Sequence, residues 1–494
     1  MKKTLIHSQI IYSKVISVAA EMYERMRHTA NSPAISEQES FAAAVLTAEA
    51  DLAVQINGEP SHLFSLRNSA KHLFQYFAYD IQEGDVLVVA DPFSGGTDPQ
   101  TITMIIPMFY DGQLIISPAI RAPLLDVAGE YPGHLHPQAT DIWQQSIRLT
   151  PIKLYRAGIL QKDVYSFISR NSRAPESLKS DLQCMVGTCR HAIQSIEHIL
   201  HRYNIDMVSE AISEMILYTR TRVEKTLSVI SNNTYKGSAT LRSDYDSELS
   251  ARVKIDSIGN KLIINLDGST RYSDSPLNLT PSGTSSFAVL PFLAGIFDDL
   301  TINEGMIAPF ELIIPPDSIL NPPYPAATNL GVRVIGPLVT EAITNALQLG
   351  QNNDLFAKSI HGSKPTACLF QPVGSTRNNI PISLDPGFSI SEQGWGAPLI
   401  EGMTRLPSAE ELEVHQGLRI LLRELNDEHR MVVRVLNIQR PLEGNFFLLG
   451  DTERYPGAIL LNGAALSDLT SLCTSVPVGA SIEFVYPNLA EQQI

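Results

Sequence analysis

The chain has 494 residues, of which 44% are hydrophobic and 18% charged. That apolar share excludes disordered, collagen-like and coiled-coil classes, and at roughly 100–200 residues per domain the length predicts two to four domains. Lys and Arg total 37 against 52 Asp and Glu, a net charge of −15. No basic face is expected, so nucleic acid and anionic membrane are excluded as main partners.

Only four cysteines occur, Cys184, Cys189, Cys368 and Cys473, and none form a C-x-x-C pair. A disulfide framework is therefore not expected, and a reducing cytoplasm fits best. Met1-Lys2-Lys3 is followed by no uninterrupted apolar h-region, so no signal peptide is expected. The longest strongly apolar stretch, Phe287 to Phe297, contains Pro291 and falls short of the roughly 20 residues that span a bilayer. The expectation is a soluble intracellular protein.

In chain order, Ser8 to His28 carries Ile11, Val15, Val18, Ala19, Met22 and Met26 at three- and four-residue steps, which predicts an amphipathic helix ending before Asn31-Ser32-Pro33. Phe41 to Ile56 reads as strand-like or mixed, and Leu66 to Ala78 as a second helix. The short apolar run Asp85 to Ala90 stops at Asp91-Pro92, where proline restricts the preceding residue to extended geometry. The loop Ser94-Gly95-Gly96-Thr97-Asp98 follows. Strands are predicted over Thr101 to Tyr110 and Gln113 to Ala122, joined by a hairpin turn at Asp111-Gly112.

Lys162 to Ile230 is helical in period, with breaks near Asn171-Ser172 and Tyr203-Asn204. After Asn232-Asn233 the period drops to two over Tyr235 to Arg242, Ser250 to Asp256 and Lys261 to Asp267, with a hairpin turn at Gly259-Asn260. A helix over Ser286 to Leu300, a strand over Phe310 to Ile314 and a helix over Pro337 to Leu349 follow. The remainder carries short β-like runs at Leu418 to Glu424, Met431 to Leu436, Phe446 to Leu449 and Ala480 to Val485. The predicted fold class is α+β in three parts: 1–235, an N-terminal αβ region with a helical segment; 236–360, a middle αβ unit; and 361–494, a β-rich region.

The phosphate-loop, dinucleotide, nucleophile-elbow and H-E-x-x-H signatures are all missing. The loop Ser94 to Thr97 has backbone amides suited to an anion, yet it leads into a strand, so a tight structural turn is the expectation. Cys184, His191, His198 and His201 lie at steps of seven, seven and three. They are interleaved with Ile193, Ile196, Ile199 and Leu200, which reads as the edge of a packed helix. His134 and His136 form an H-x-H step, which on extended chain points both imidazoles to one side, as a chelating pair requires. His62 reads as a satisfied core histidine, Glu37 and Glu39 as a solvated acidic loop, and Trp395 as a core or interface anchor.

The order of motifs resembles the hydantoinase B / 5-oxoprolinase family, which includes the corresponding subunits of acetone and acetophenone carboxylases. The resemblance is carried by Arg27 to Ile35 with Glu37, by Ser61-His62-Leu63, and by Gly84-Asp85-Val86 leading to Asp91-Pro92-Phe93-Ser94-Gly95-Gly96-Thr97. It continues through Arg121-Ala122, Asp126, Tyr131-Pro132-Gly133, Leu149 to Gly158, Ile314 to Ala327 and Gln393 to Ala397. The collinear match covers most of residues 8 to 400. It implies one half of an ATP-dependent machine: a hydantoinase A-like partner subunit binds ATP and phosphorylates a cyclic amide, ketone enolate or lactam. The B-type subunit, in a hetero-oligomer with it, holds a divalent metal and completes hydrolysis or carboxylation.

The family's metal pattern is an aspartate in a D-F-S stretch, an H-x-x-D after Gly-Gly-Thr, and a His-His pair after Arg-Ala. Here the matching positions are Ser40, Asp98 with Thr101, and Pro123 with Leu124. Only Asp98 retains a strong ligand type, in place of an imidazole. The Gly-Asn-Val-Glu-type signature is replaced by Gly331-Val-Arg-Val-Ile335. One carboxylate with hydroxyls makes a weak cation site, because ligand charge and count set affinity.

Three functional readings follow. In the first, the chain is a family subunit with a degraded metal site and a structural or regulatory role. In the second, it is a divergent enzyme whose zinc, manganese or iron sits in a relocated site built from Asp98, His134, His136 and Asp126. The third is an ordinary active hydrolase with its site elsewhere. A stand-alone scaffold that merely kept the fold is the reading from a different class.

Overall fold

A computed structural model describes residues 2–36, 39–130, 136, 138–228, 234–243, 246–296 and 300–350. Beyond these it describes 368–372, 389–391, 394–397, 410, 413, 418–425, 431–437, 442–446, 458–466 and 474–485. It opens with the helix α1 (Lys2–Thr29), the short α2 (Pro33–Ser36) and a hairpin of β1 (Ala42–Thr47) and β2 (Leu52–Asn57). Helix α3 (His62–Tyr76) begins four residues ahead of its expected start, because His62 and Leu63 are buried with the rest of its inner face.

Strand β3 (Val86–Ala90) leads through a 3-10 turn at Pro92–Ser94 to β4 (Thr101–Ile105), β5 (Met108–Tyr110) and β6 (Gln113–Pro123). The single run expected over Thr101 to Tyr110 is two strands. Pro107 has no N–H to donate to a ladder, and the break falls there. The Asp111-Gly112 turn has both residues at positive φ, 52° and 76°, as a tight hairpin requires. The short α4 (Ile142–Gln145) precedes β7 (Leu149–Arg156) and β8 (Ile159–Leu160).

These strands form one antiparallel sheet in the order β2-β1-β6-β4-β3-β7-β8, with β5 also paired to β6. Side chains alternate across a strand, so a sheet covered on both sides must feed two cores. Ala42, Ala44, Leu46, Leu87 and Val89 enter one core, while Ala43, Val45, Val86, Val88 and Ala90 enter the other. The second core is completed by α1 and by α6 (Pro175–Tyr203) and α7 (Ile205–Leu227), which follow α5 (Lys162–Arg170).

The first core is completed by α3 and by residues after 234. A sheet of β9 (Thr234–Ser243), β10 (Asp246–Ile258), β11 (Lys261–Asn265) and β12 (Phe310–Ile313) has the order β12-β11-β10-β9, parallel only between β11 and β12. Helix α8 (Pro281–Ile296), the short α9 (Glu304–Ile307) and α10 (Gly331–Gly350) pack with it. Helix α10 starts six residues before Pro337, which lies inside the helix rather than at its first turn. Where α10 crosses β9 the sequence has Gly237, and a Cβ there would lie 2.4 Å from the Ala342 carbonyl oxygen.

Further on, strands Leu418–Leu425, Met431–Asn437, Ala458–Leu461, Ala464–Ala465 and Ser481–Val485 form a five-stranded sheet. Of the run expected at Phe446 to Leu449, only Phe446 falls in a strand, Leu442–Phe446, and the rest lies outside the described residues. The α+β class holds. Among the described residues, no helix is long and apolar enough to cross a membrane.

Candidate functional site

The turn after β3 is set by Asp91. Its backbone is extended, its carboxylate accepts from Phe93 N–H and the Ser94 hydroxyl, and Arg148 clamps both of its oxygens at 2.9 Å. Gly95 sits at φ +87°, and a Cβ there would lie 2.5 Å from the Asn68 backbone of α3. The two glycines are therefore demanded by the turn and its packing, as the structural reading expected. Gly96 accepts at its carbonyl from the Thr280 hydroxyl at 2.7 Å, which ties the turn to the start of α8.

This turn delivers Thr97, Asp98 and, at the start of β4, Thr101 to one place. Asp98 Oδ2 accepts from the Thr97 hydroxyl at 2.7 Å, Oδ1 from Gln100 N–H at 2.9 Å, and both oxygens stand 2.9 Å from Thr101 Oγ1. Arg121 reaches the same spot from the neighbouring strand β6. Its Nη2 donates to Thr97 Oγ1 at 2.8 Å and its Nη1 to Thr103 Oγ1 at 2.9 Å. Thr97 is thus a hydroxyl bridge between guanidinium and carboxylate. Arg121 is fully buried, and burial pushes its pKa down to about 10 against the pull of Asp98 and Glu59.

Glu59 joins from the end of the first hairpin. It accepts from the Ser40 hydroxyl and, at 2.8 Å, from the Ser61 hydroxyl, and His62 Nε2 stands 4.0 Å from it. Burial raises the Glu59 carboxyl, but the His62 ring, the two hydroxyls and the Arg333 charge outweigh it and hold the group below its ordinary range. The pKa of His62, 2% exposed, is pushed down by burial against the pull of Glu59. Its Nε2 lies 3.3 Å from the Ser40 carbonyl, and buried Nδ1 has no partner among the described residues. The satisfied-core reading of His62 is corrected on this point: one ring nitrogen is bonded and the other is left over.

The arrangement therefore joins Ser40, Glu59, Ser61, His62, Asp98, Thr101 and Arg121, drawn from four separate segments. It surrounds two carboxylates with hydroxyls and a guanidinium, and it leaves one imidazole nitrogen without a partner among the described residues. Sequence reading located Ser40, Asp98 and Thr101 but missed Glu59 and the role of Arg121. A charged residue inside the apolar strand β6 was the available signal, since a buried cation demands acidic company.

The other expected site residues have partners of their own. Asp126, buried and at φ 42°, pairs with Arg173 at 3.2 Å, and Arg173 also donates to the carbonyls of Ala128 and Gly129. His136 donates from Nε2 to Glu130 at 3.0 Å and accepts at Nδ1 from Gln138 N–H. His134 and Glu37 lie outside the described residues. Glu39 accepts from the Tyr23 hydroxyl at 2.9 Å, so it is tied to α1. On α6, His191 pairs with Glu21 of α1 at 2.7 Å and Cys184 meets Thr29, which is the packed-helix-edge arrangement. Among the described residues, no three His, Cys, Asp or Glu side chains converge to hold a metal ion.

Comparison with known proteins accounts for this framework. Residues 5–429 match the sequence profile of the hydantoinase B/oxoprolinase family. An uncharacterised protein of Methanocaldococcus jannaschii is 27% identical over 342 residues, 69% of this chain and 60% of that protein. The caprolactamase subunit beta of Pseudomonas jessenii is 24% identical over 296 residues, covering 58% of this chain and 51% of that one. A 5-oxoprolinase of Dictyostelium discoideum is 24% identical over 338 residues, 67% of this chain but 27% of that protein. The matches thus span less than two thirds of these relatives' lengths. Among solved structures, the ATP-dependent caprolactamase of Pseudomonas jessenii superposes with a TM-score of 0.82 at 18% identity, over 98% of this chain and 90% of that one. A nucleotide-free acetone carboxylase gives 0.80 at 13% identity, over 98% and 75%. The chain belongs to the hydantoinase B/oxoprolinase family.

Proposed function

We propose that this chain is the B-type subunit of an ATP-dependent cyclic-amide hydrolase or carboxylase assembly, in which a hydantoinase A-like subunit uses the ATP. In that assembly it serves a structural or regulatory role, without a divalent metal at the position where the family pattern carries one. The names of its relatives support the subunit reading, and the low cysteine count supports a cytoplasmic setting.

The observation that carries the metal-free reading is the set of three donors already turned toward Asp98. Its two oxygens already take two hydroxyl hydrogens and one N–H, so Thr97 and Thr101 face it as donors rather than as ligands. Ser40 likewise spends its hydroxyl on Glu59, and the Arg121 cation occupies the electrostatic place of a metal's charge. Hard divalent ions need several unencumbered oxygens, and zinc needs nitrogen or sulfur donors. The residues at these positions do not fit such an ion.

Purification of the native complex with elemental analysis tests both halves. An ATP-binding chain is expected to co-elute in fixed stoichiometry, with zinc, manganese and iron far below one equivalent in this subunit. A tightly held equivalent that is lost in Asp98→Ala would refute the metal-free reading. An equivalent lost in His136→Ala would transfer the function to a metal centre built on Asp98, Asp126, His134 and His136. A lone chain with no partner would leave a scaffold in place of a subunit.

A further inference from the structure

The outer face of the β9–β12 sheet carries charge that the fold itself leaves unbalanced. Its inner face sends Tyr235, Ala239, Ala251, Val253 and Ile255 into the core. By alternation, Lys236 and Ser238 of β9 and Arg252 and Lys254 of β10 share the outer face. Register places Lys254 directly opposite Lys236 on one side and opposite Asn265 of β11 on the other, with Arg252 opposite Ser238. Like charges directly opposite on an antiparallel pair are destabilising. Nothing in the packing requires them, because all three cations are exposed.

An open cavity of about 900 Å³ lies over this face, lined by Lys236, Arg252, Lys254, Asn265 and, from α10, Asn345. Asp267 is the single acid in the described lining. Lys254 is partly neutralised by Asp256 at 2.7 Å, outside that lining, and Lys236 acts on the same carboxylate from a distance. Among the described residues Arg252 has no acidic partner. Three cations against Asp256 and Asp267 leave one positive charge in excess, in a chain whose net charge is −15, and mark a place where a phosphate group is held by charge.

We infer that this cavity is a binding site for a phosphorylated small molecule, with Lys236, Lys254 and Arg252 on the phosphate oxygens and the Asn265 and Asn345 amides beside them. Guanidinium and ammonium groups match phosphate by charge-assisted hydrogen bonds, and the volume lies within the range of small-ligand sites, roughly 300–1,000 Å³. The phosphate belongs to a nucleotide-sized molecule or to free oligophosphate, which share the same headgroup chemistry. The site is far along the chain from Asp98 and stands independently of the function proposed for that turn.

Calorimetric titration of the full chain with ADP, with adenosine and with pyrophosphate tests it, repeated on Lys236→Gln and Arg252→Gln. Pyrophosphate and ADP are expected to bind and adenosine not to, and each substitution is expected to weaken binding about tenfold, as the loss of one charge-assisted contact does. Tighter binding of ADP than of pyrophosphate assigns the site to a nucleotide, and the reverse assigns it to free oligophosphate. Without ligand, Lys236→Gln is expected to keep or raise the melting temperature, because it removes a like-charge pair. Absence of phosphate binding at millimolar concentration, or binding that both variants leave untouched, overturns the proposal, as does saturation by an acidic peptide alone.

Discussion

Arg121→Ala is expected to cost about 3–5 kcal/mol of unfolding free energy, the range for stripping a buried charge network of one partner and leaving a large void. Among the described residues Arg121 heads the fully buried side chains by volume, and it stands in a central strand opposite Ala42 on one side and Thr103 on the other. Its removal leaves Thr103 Oγ1 without its donor and Asp98 and Glu59 without their shared cation. Volume and charge separate in a second variant: Arg121→Met fills most of the space and restores no charge. If charge dominates, Met falls close to Ala; if packing dominates, Met approaches the native chain. Denaturant unfolding of the two variants near pH 7 decides the matter. A cost below about 1 kcal/mol for Arg121→Ala at neutral pH would show that this cation does not hold the site together.

How much of this was written legibly into the chain depends on the range of the interaction. Helix α1, the hairpin turns at Asp111-Gly112 and Gly259-Asn260, and the β10–β11 pairing rest on neighbours in sequence, and periodicity and turn chemistry specify them locally. The glycines of the Gly95-Gly96 turn were read correctly as structural for the same reason. The start of α10 was misplaced because proline is common at a helix's first position, whereas here Gly331 packs against Asn278 and Pro337 is carried inside. Tertiary burial of Val334 and Ile335 outweighs the local preference.

The site was legible only as a set of departures from a family pattern. Ser40, Asp98 and Thr101 announce what is missing, but not what replaced it. The replacement is assembled from β1, the β2–α3 turn, the β3–β4 turn and β6, and no spacing rule connects residues 40, 59, 98 and 121. His62 shows the limit most clearly: a histidine in an apolar stretch looks like core, and only the three-dimensional accounting of donors reveals that one nitrogen has no partner among the described residues.

The same accounting singles out Asp181, where a pH dependence of known sign is expected. This carboxylate of α6 is 2% exposed and accepts from the backbone N–H groups of Asn31 and Ser32 at 2.6 and 3.2 Å, pinning the end of α1 to α6, while its other oxygen has no partner among the described residues. Burial raises its pKa from 3.8 to about 6, against the lowering effect of those two bonds. The folded chain therefore holds the proton more tightly than the unfolded chain. Between pH 4 and 6 the native state stays protonated while the unfolded state does not, so this group's contribution to stability is present below pH 4, falls through that interval and is flat above it. A shift of about two units corresponds to about 3 kcal/mol. Asp181→Asn keeps an oxygen for both N–H groups and never ionises. The difference in unfolding free energy, variant minus native, is thus expected to widen in the variant's favour by about 3 kcal/mol from pH 4 to pH 7. All other carboxylates titrate alike in both proteins and cancel in that difference. A difference that stays constant with pH, or one that shrinks as pH rises, would mean that Asp181 is ionised and well solvated in the folded chain.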